Sequence, residues 1–234
     1  MEPYIVLLIV ICAIVLFIAL IIPAAKRGIN EQPRRRDKVP ERKREDEGEA
    51  GEEFVAHILE RCLLTEHDHL MNGVILYDPR RKASCEIDHI LICERGVFVI
   101  ETKNRSGEIY GDDTREEWTQ VLAGGEIVHT MRSPVLQNAT HVRFVKEILY
   151  RRVHERVPVT GLVVFAQGNT RHIDSEHVCS PFGIEVAVKT QGREISPADQ
   201  DRAYRTLRSH LERYPVTKEE HLQYIRSIHP DERE

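Results

Sequence analysis

No CxxC or CxxH pair occurs in this 234-residue chain, and its five cysteines stand apart at Cys12, Cys62, Cys85, Cys93 and Cys179. That spacing excludes the common zinc sites and a disulfide framework, and the odd number fits a reducing compartment. Each cysteine reads as a small buried apolar residue. No internal repeat is present. Net positive charge is also confined to one segment. Residues 26–44 hold nine Lys/Arg against three Asp/Glu, and with Glu2 the only other charge before residue 45, the chain's net −5 leaves −10 for residues 45–234. A nucleic-acid ligand must then be met by a local basic strip and a bound metal, not by the overall field.

Residues 4–22 form a run of nineteen without a charge, bracketed by Pro3 and Pro23. As a helix this run would span about 28 Å, enough to cross a bilayer. No basic n-region precedes it, it exceeds a signal-peptide core, and Lys26 and Arg27 follow it, so residues 1–25 are expected to be a membrane anchor. The basic residues on its C-terminal side place the rest of the chain in the cytoplasm. Residues 26–47 read as a charged, disordered linker carrying Pro33 and Pro40. Its basic cluster suits anionic lipid better than nucleic acid.

Beyond the linker, Phe54, Val55, Ile58, Leu59 and Cys62 have helical spacing, and residues 74–77 read as a first strand. Residues 107–111 suggest a short edge strand, and Trp118 is expected in a short helix starting near Arg115. A helix from Ser133-Pro134 to about His154 buries Val142, Val145, Ile148 and Leu149, while Arg143, Lys146, Arg151 and Arg152 supply a basic surface. Strands follow at 161–166 and 184–188, then helices from Ser196-Pro197 to about Arg213 and from the capping box Thr217/Glu220 to about Ile228. This order describes an α/β three-layer sandwich with a mixed central sheet. The expected division is anchor 1–25, linker 26–47, main domain 48–170 and C-terminal extension 171–234.

The chemistry concentrates in one predicted hairpin. The apolar runs 85–93 and 97–103 are joined by the turn Glu94-Arg95-Gly96. With Cys93 opposite Gly96, Ile92 faces Val97, Ile90 faces Val99 and Asp88 faces Glu101; Lys103 points the same way as Glu101. Strict alternation puts Ile87, Leu91, Phe98 and Ile100 on one face and Ile90, Ile92, Val97 and Val99 on the other, so both faces are covered. Opposed carboxylates lie about 4.5–5.5 Å apart at Cβ and repel. One reading is a buried ion pair between Lys103 and one carboxylate, which leaves the other carboxylate unexplained. The second is a Mg²⁺ or Mn²⁺ site, because such hard cations take oxygen ligands and tolerate few carboxylates. Asp88 and Glu101 would hold the ion with the Thr102 carbonyl, while Lys103 orients or deprotonates water and offsets charge on a phosphodiester. Glu52, on the leading helix, could reach the ion directly or through water. Gln137 and His141, at i and i+4, share a helix face and can look into one site; His141 alone reads as a structural histidine. The triplet Glu41-Arg42-Lys43 in the linker carries no function.

The set Gly48-Glu49-Ala50-Gly51-Glu52, Glu86-Ile87-Asp88-His89, residues 96–104 ending Glu101-Thr102-Lys103-Asn104, Gly107, Trp118, Pro134, Gln137-Asn138 and His141 resembles the nuclease-related domain, NERD. That domain is similar to the PD-(D/E)xK nucleases, and the likeness covers roughly residues 48–166. The resemblance implies a restriction-endonuclease-like fold, a triad of Asp88, Glu101 and Lys103, and auxiliary roles for Glu52 and Gln137. One departure is Ser133-Pro134, where the family more often has Asn-Pro. The expected activity is a membrane-anchored, Mg²⁺-dependent nuclease acting on DNA or RNA. A silent nuclease-fold scaffold and a small-molecule phosphodiesterase are the competing readings.

Overall fold

The computed structural model describes residues 41–153 and 156–228. The expected anchor and the linker as far as residue 40 lie outside the described residues. Among the described residues no helix is long and apolar enough to cross a membrane. The first described element, helix α1 (Glu41–Glu60), takes in residues 41–47, which the sequence assigns to a disordered linker. Val55 and Leu59 are fully buried on its inner face, but Phe54 stays 44% exposed, outside the expected apolar stripe.

Three antiparallel strands follow: β1 (His69–Asp78), β2 (Ala83–Cys93) and β3 (Gly96–Lys103). The β2–β3 register is the expected one, with Cys93 opposite Gly96, Ile92 opposite Val97 and Ile90 opposite Val99. Gly96 turns the hairpin at φ +114°, and a Cβ there would lie 2.7 Å from the Pro158 ring, so both conformation and space require glycine. After an excursion through a second sheet and helix α2 (Pro134–Val153), the chain returns as β7 (Val159–Phe165), parallel to β3. The two-residue β9 (Val178–Cys179) closes the far edge, giving the order β1-β2-β3-β7-β9. The sheet is mixed, and β3 is its middle strand.

The second sheet holds β4 (Glu108–Asp112), β5 (Glu117–Leu122), β6 (Ile127–Arg132) and β8 (Asn169–Asp174), in the order β6-β5-β4-β8. Two expectations change here. Residues 107–111 do not form an edge, because β4 lies between β5 and β8. Trp118 is on a strand and not in a helix; its fully buried ring stacks 6.3 Å from Phe165, and its indole N–H donates to the Asp112 carbonyl at 3.1 Å.

Helices cover both faces of the first sheet. On one face, α1 and helix α3 (Ile184–Gln191) pack over Leu91, Phe98 and Ile100. On the other, α2 and helix α4 (Pro197–Arg213) pack over Ile90, Ile92, Val97 and Val99. Residues 184–188 are therefore helical where a strand is expected. Ile184, Ala187 and Val188 are buried and Val186 is 61% exposed, a spacing of three and four and not of two. The last two helices match expectation in type and cap. Ser196 Oγ accepts from the Asp199 N–H at the start of α4, and Thr217 and Glu220 exchange capping-box bonds at the start of α5 (Lys218–Ile228). The described residues thus form a mixed α/β fold with two mixed sheets and five helices.

Strict alternation fails at one place in β2. Ile87 and Ile90, three residues apart, belong to the same core cluster, so Ile87 does not share a face with Leu91, Phe98 and Ile100. The facing strand shows the same break, since Met71 and Val74 join that cluster as well, with Gly73 at φ +59° between them. Asp88 sits at this crossover, and the β2–β3 ladder runs only as far as His89 opposite Ile100.

Candidate active site

Asp88, Glu101, Lys103 and Gln137 are brought together at the C-terminal end of β3, where α2 crosses it. Asn138 stitches the helix in place: its side-chain N–H group donates to the Val99 and Leu162 carbonyls at 3.0 and 2.9 Å, bridging β3 and β7. Ser133 begins the helix, with its hydroxyl accepting from the Leu136 N–H at 3.3 Å. Serine and asparagine are comparable N-caps, so the departure from Asn-Pro keeps the local function.

Glu101 is 3% exposed, and its two oxygens differ. Oε1 meets Lys103 Nζ at 2.6 Å and accepts from Gln137 Nε2 at 2.8 Å, while Lys103 donates to Gln137 Oε1 at 3.1 Å. These three side chains form a closed triangle. Oε2 is buried without a hydrogen bond; His141 Nδ1 stands 3.3 Å away, near enough for attraction but poorly aligned. Burial pushes the Glu101 carboxyl up, but the His141 contact and the Lys103 charge outweigh it and hold the group below its ordinary range.

Asp88 has the opposite character. Its Oδ2 accepts from the Thr102 backbone N–H at 2.6 Å. Direct opposition to Glu101 is therefore replaced by a contact to the next residue of β3. Burial first, and the Glu101 charge second, push the Asp88 carboxyl up to about 8, against the partial relief of the Thr102 bond. Two close carboxyl groups share one lysine that is already committed to Glu101, so Asp88 keeps its proton at neutral pH unless a further positive charge joins the site.

His89 secures Thr102 from the side. Its ring is 1% exposed, with Nδ1 2.9 Å from Asn72 Oδ1 and Nε2 3.2 Å from Thr102 Oγ1. Nδ1 therefore donates to Asn72, and Nε2 accepts from the threonine hydroxyl. Burial lowers this imidazole to about 4, so it is neutral.

Glu52 faces the same region without a direct bond to Asp88, Glu101 or Lys103. Burial and then Glu86 push its carboxyl up, Lys218 pulls it down, and Glu101 adds to the rise. Gly51, beside it, lets α1 approach closely: a Cβ there would fall 2.6 Å from Asn104 Cβ, next to Lys103.

The described structure adds residues that sequence reading does not select. Helix α5 places Lys218 Nζ 3.7 Å from Glu86 Oε1 and buries His221, whose Nδ1 lies 2.8 Å from Ser84 Oγ and whose Nε2 lies 3.8 Å from Glu86 Oε2. Glu86 is two residues before Asp88. The only advance signal was the i, i+3 spacing of Lys218 and His221 on one helix face. The expected basic strip on α2 is divided. Arg143 and Lys146 line a cavity beside β7, and Arg152 lines a different one.

A divalent cation fits the donor set. Glu101 Oε2 is a buried oxygen with no hydrogen bond, and Asp88 is a carboxyl that ionises against its surroundings. Among the described residues no three His, Cys, Asp or Glu side chains are gathered to hold a metal alone. An ion here would complete its shell with backbone oxygen and water, as Mg²⁺ commonly does.

Residues 47–166 match the family described as nuclease-related domain, NERD. The chain belongs to this family. The NERD segment runs from α1 to just past β7 and contains Glu52, Asp88, Glu101, Lys103 and Gln137. Lys218 and His221 lie outside it. A relative, an uncharacterized protein of Bacillus anthracis, is 30% identical over 118 residues, covering 50% of this chain and 52% of the relative. The match thus spans about half the length of that protein. No solved structure matches the chain.

Proposed function

We propose that this NERD protein is a metal-dependent nuclease that hydrolyses phosphodiester bonds in DNA or RNA, within a restriction-endonuclease-like framework. The observation that carries this reading is the split carboxylate pair, with Glu101 held ionised by His141 and Lys103 while Asp88 lacks a counter-charge. Asp88 and Glu101, with the Thr102 carbonyl, would hold Mg²⁺ or Mn²⁺. The ion would supply Lewis acidity and lower the pKa of a bound water.

The chain's own residues do the positioning. Lys103 uses two of its three ammonium donors on Glu101 and Gln137, leaving the third for a phosphate oxygen or for the attacking water. Its charge then stabilises the charge gathering on phosphorus-bound oxygen as the P–O bond to water forms and the ester P–O bond breaks. Gln137 keeps Lys103 and Glu101 in register. Glu52, half-buried and pushed up, is an auxiliary acid or water ligand at the rim. Residues 4–22 would hold the domain to a membrane, on its cytoplasmic side.

The test uses the full chain in detergent with labelled DNA and RNA. Cleavage should require Mg²⁺ or Mn²⁺ and vanish in Asp88→Asn and Glu101→Gln. Absence of cleavage on every nucleic acid, with either metal, would sink the proposal. A second reading, a nuclease-fold scaffold without turnover, draws on the absence of a three-residue metal cluster among the described residues. Calorimetric Mg²⁺ titration separates the two: binding lost in Asp88→Asn supports the enzyme, and no binding supports the scaffold.

A further inference from the structure

A cavity of about 750 Å³ opens between the β1–β2 turn, the C-terminal half of α2 and the end of α4. Its size suits a small ligand or one unit of a polymer. The walls combine aromatic rings with arginine. Tyr77 and Tyr214 lie 6.5 Å apart at their ring centroids, the guanidinium of Arg213 sits 5.4 Å over the Tyr214 ring, and Tyr150 is 58% exposed at the margin. Arg80, Arg152 and Arg213 are all exposed lining residues. The two acids of the lining are already engaged, since Arg81 binds Asp78 Oδ2 at 2.7 Å and Glu147 Oε1 at 2.9 Å. Four arginines against two carboxylates make this cavity positive on a body that is otherwise strongly acidic.

Rings offering a π-face beside guanidinium groups match a base and its phosphate. The cavity and the active site are both flanked by α2. Phe144 lines it one helical turn beyond His141, and Arg152 stands eleven residues beyond His141 along α2, about 16 Å of helix rise. That is the reach of a few nucleotides.

We infer that this cavity binds a nucleotide of a single-stranded nucleic acid, stacking a base on tyrosine and holding its phosphate with Arg80, Arg152 and Arg213, a few nucleotides from the scissile bond. The inference rests on the nuclease reading for its substrate, but its test does not depend on turnover.

The experiment measures binding of a short labelled poly-dT or poly-U strand to the full chain in EDTA, which removes metal and cleavage together. The triple variant Arg80→Ala/Arg152→Ala/Arg213→Ala should bind at least tenfold more weakly, with a salt slope reduced by about 0.7 for the one phosphate lost. Tyr150→Ala should weaken binding about fivefold or more. Thermal melts of both variants should match the parent, since the altered side chains are exposed. With metal, KM for the long strand should rise while kcat holds, and a dinucleotide too short to reach the cavity should be cleaved at an unchanged rate. Unchanged strand affinity in the triple variant overturns the inference. So does full displacement of the strand by an equal concentration of AMP, which would make this a free-nucleotide site. Arginine-dependent binding without cleavage in any metal would leave this inference standing and remove the nuclease reading.

Discussion

The Asp88 carboxylate accepts a 2.6 Å hydrogen bond from the backbone N–H of Thr102, the residue between Glu101 and Lys103. This bond ties Asp88 to the strand that carries Glu101 and Lys103. It also offsets only part of the cost of ionising Asp88 beside Glu101, which has consequences for pH dependence.

The ordinary Asp88 value of 3.8 is pushed up to about 8 in the folded chain. Between those limits the native state binds a proton that the unfolded state has released, so metal-free stability should fall as pH rises through this window. A metal-free melting series from about pH 5 to about pH 8 should show that decline, and Asp88→Asn should flatten it. Because the ion competes with the proton, apparent Mg²⁺ affinity should rise about tenfold per pH unit below about pH 8 and level off above. A pH-independent affinity would contradict the assignment of Asp88 as a ligand.

Lys103→Met removes the cation from a buried carboxylate that retains only Gln137 as a hydrogen-bond donor. The expected cost is about 1–3 kcal/mol of stability. Cleavage should fall about 10²- to 10⁴-fold, a loss larger than reduced folding explains. Single-turnover kinetics on protein kept below its melting transition separate the two effects.

Gly51→Ala pits helix propensity against packing. Alanine in a helix interior is favoured by about 0.5–1 kcal/mol, but the new methyl would fall 2.6 Å from Asn104 Cβ. The clash should dominate, costing about 1–3 kcal/mol, and it should shift α1 and Glu52 away from the site. The measurement is a melt together with kcat; gained stability with full activity would show that α1 yields freely.

Helix α5 lies outside the family match yet touches the strand that carries Asp88. His221→Ala leaves the buried Ser84 hydroxyl without its partner and should cost about 1–3 kcal/mol in chemical denaturation. Lys218→Ala, at an exposed position, should leave the melt unchanged and raise KM for nucleic acid in a salt-dependent way. An unchanged KM at low salt would remove Lys218 from the substrate path.

Helix α4 and the β2–β3 hairpin were legible because their signals are local. Ser196-Pro197 names a helix start, and a Gly-containing turn between two apolar runs fixes a register. The grouping of Asp88, Glu101 and Lys103 was legible for a related reason: carboxylates interrupting buried strands have to be compensated, and Lys103 stood within the same register. Residues 184–188 differ from expectation because Ile184, Val186 and Val188 satisfy a period of two while Ile184, Ala187 and Val188 satisfy a helix, and the helical face found a core to cover. Trp118 went the other way, into a strand, because its ring has Phe165 to stack on in the first sheet.

By itself, then, the sequence determined which groups carry charge in the interior and how the central hairpin aligns, since both follow from neighbours a few residues apart. Only the tertiary structure decided the rest. The crossover at Gly73 and Asp88 turned direct opposition into a bond to Thr102, and Asn138 brought Gln137 and His141 over Glu101. Helix α5 came to lie beside Glu86 from more than a hundred residues away. Such contacts depend on which surfaces remain to be covered once the sheet is built, and no local pattern records that.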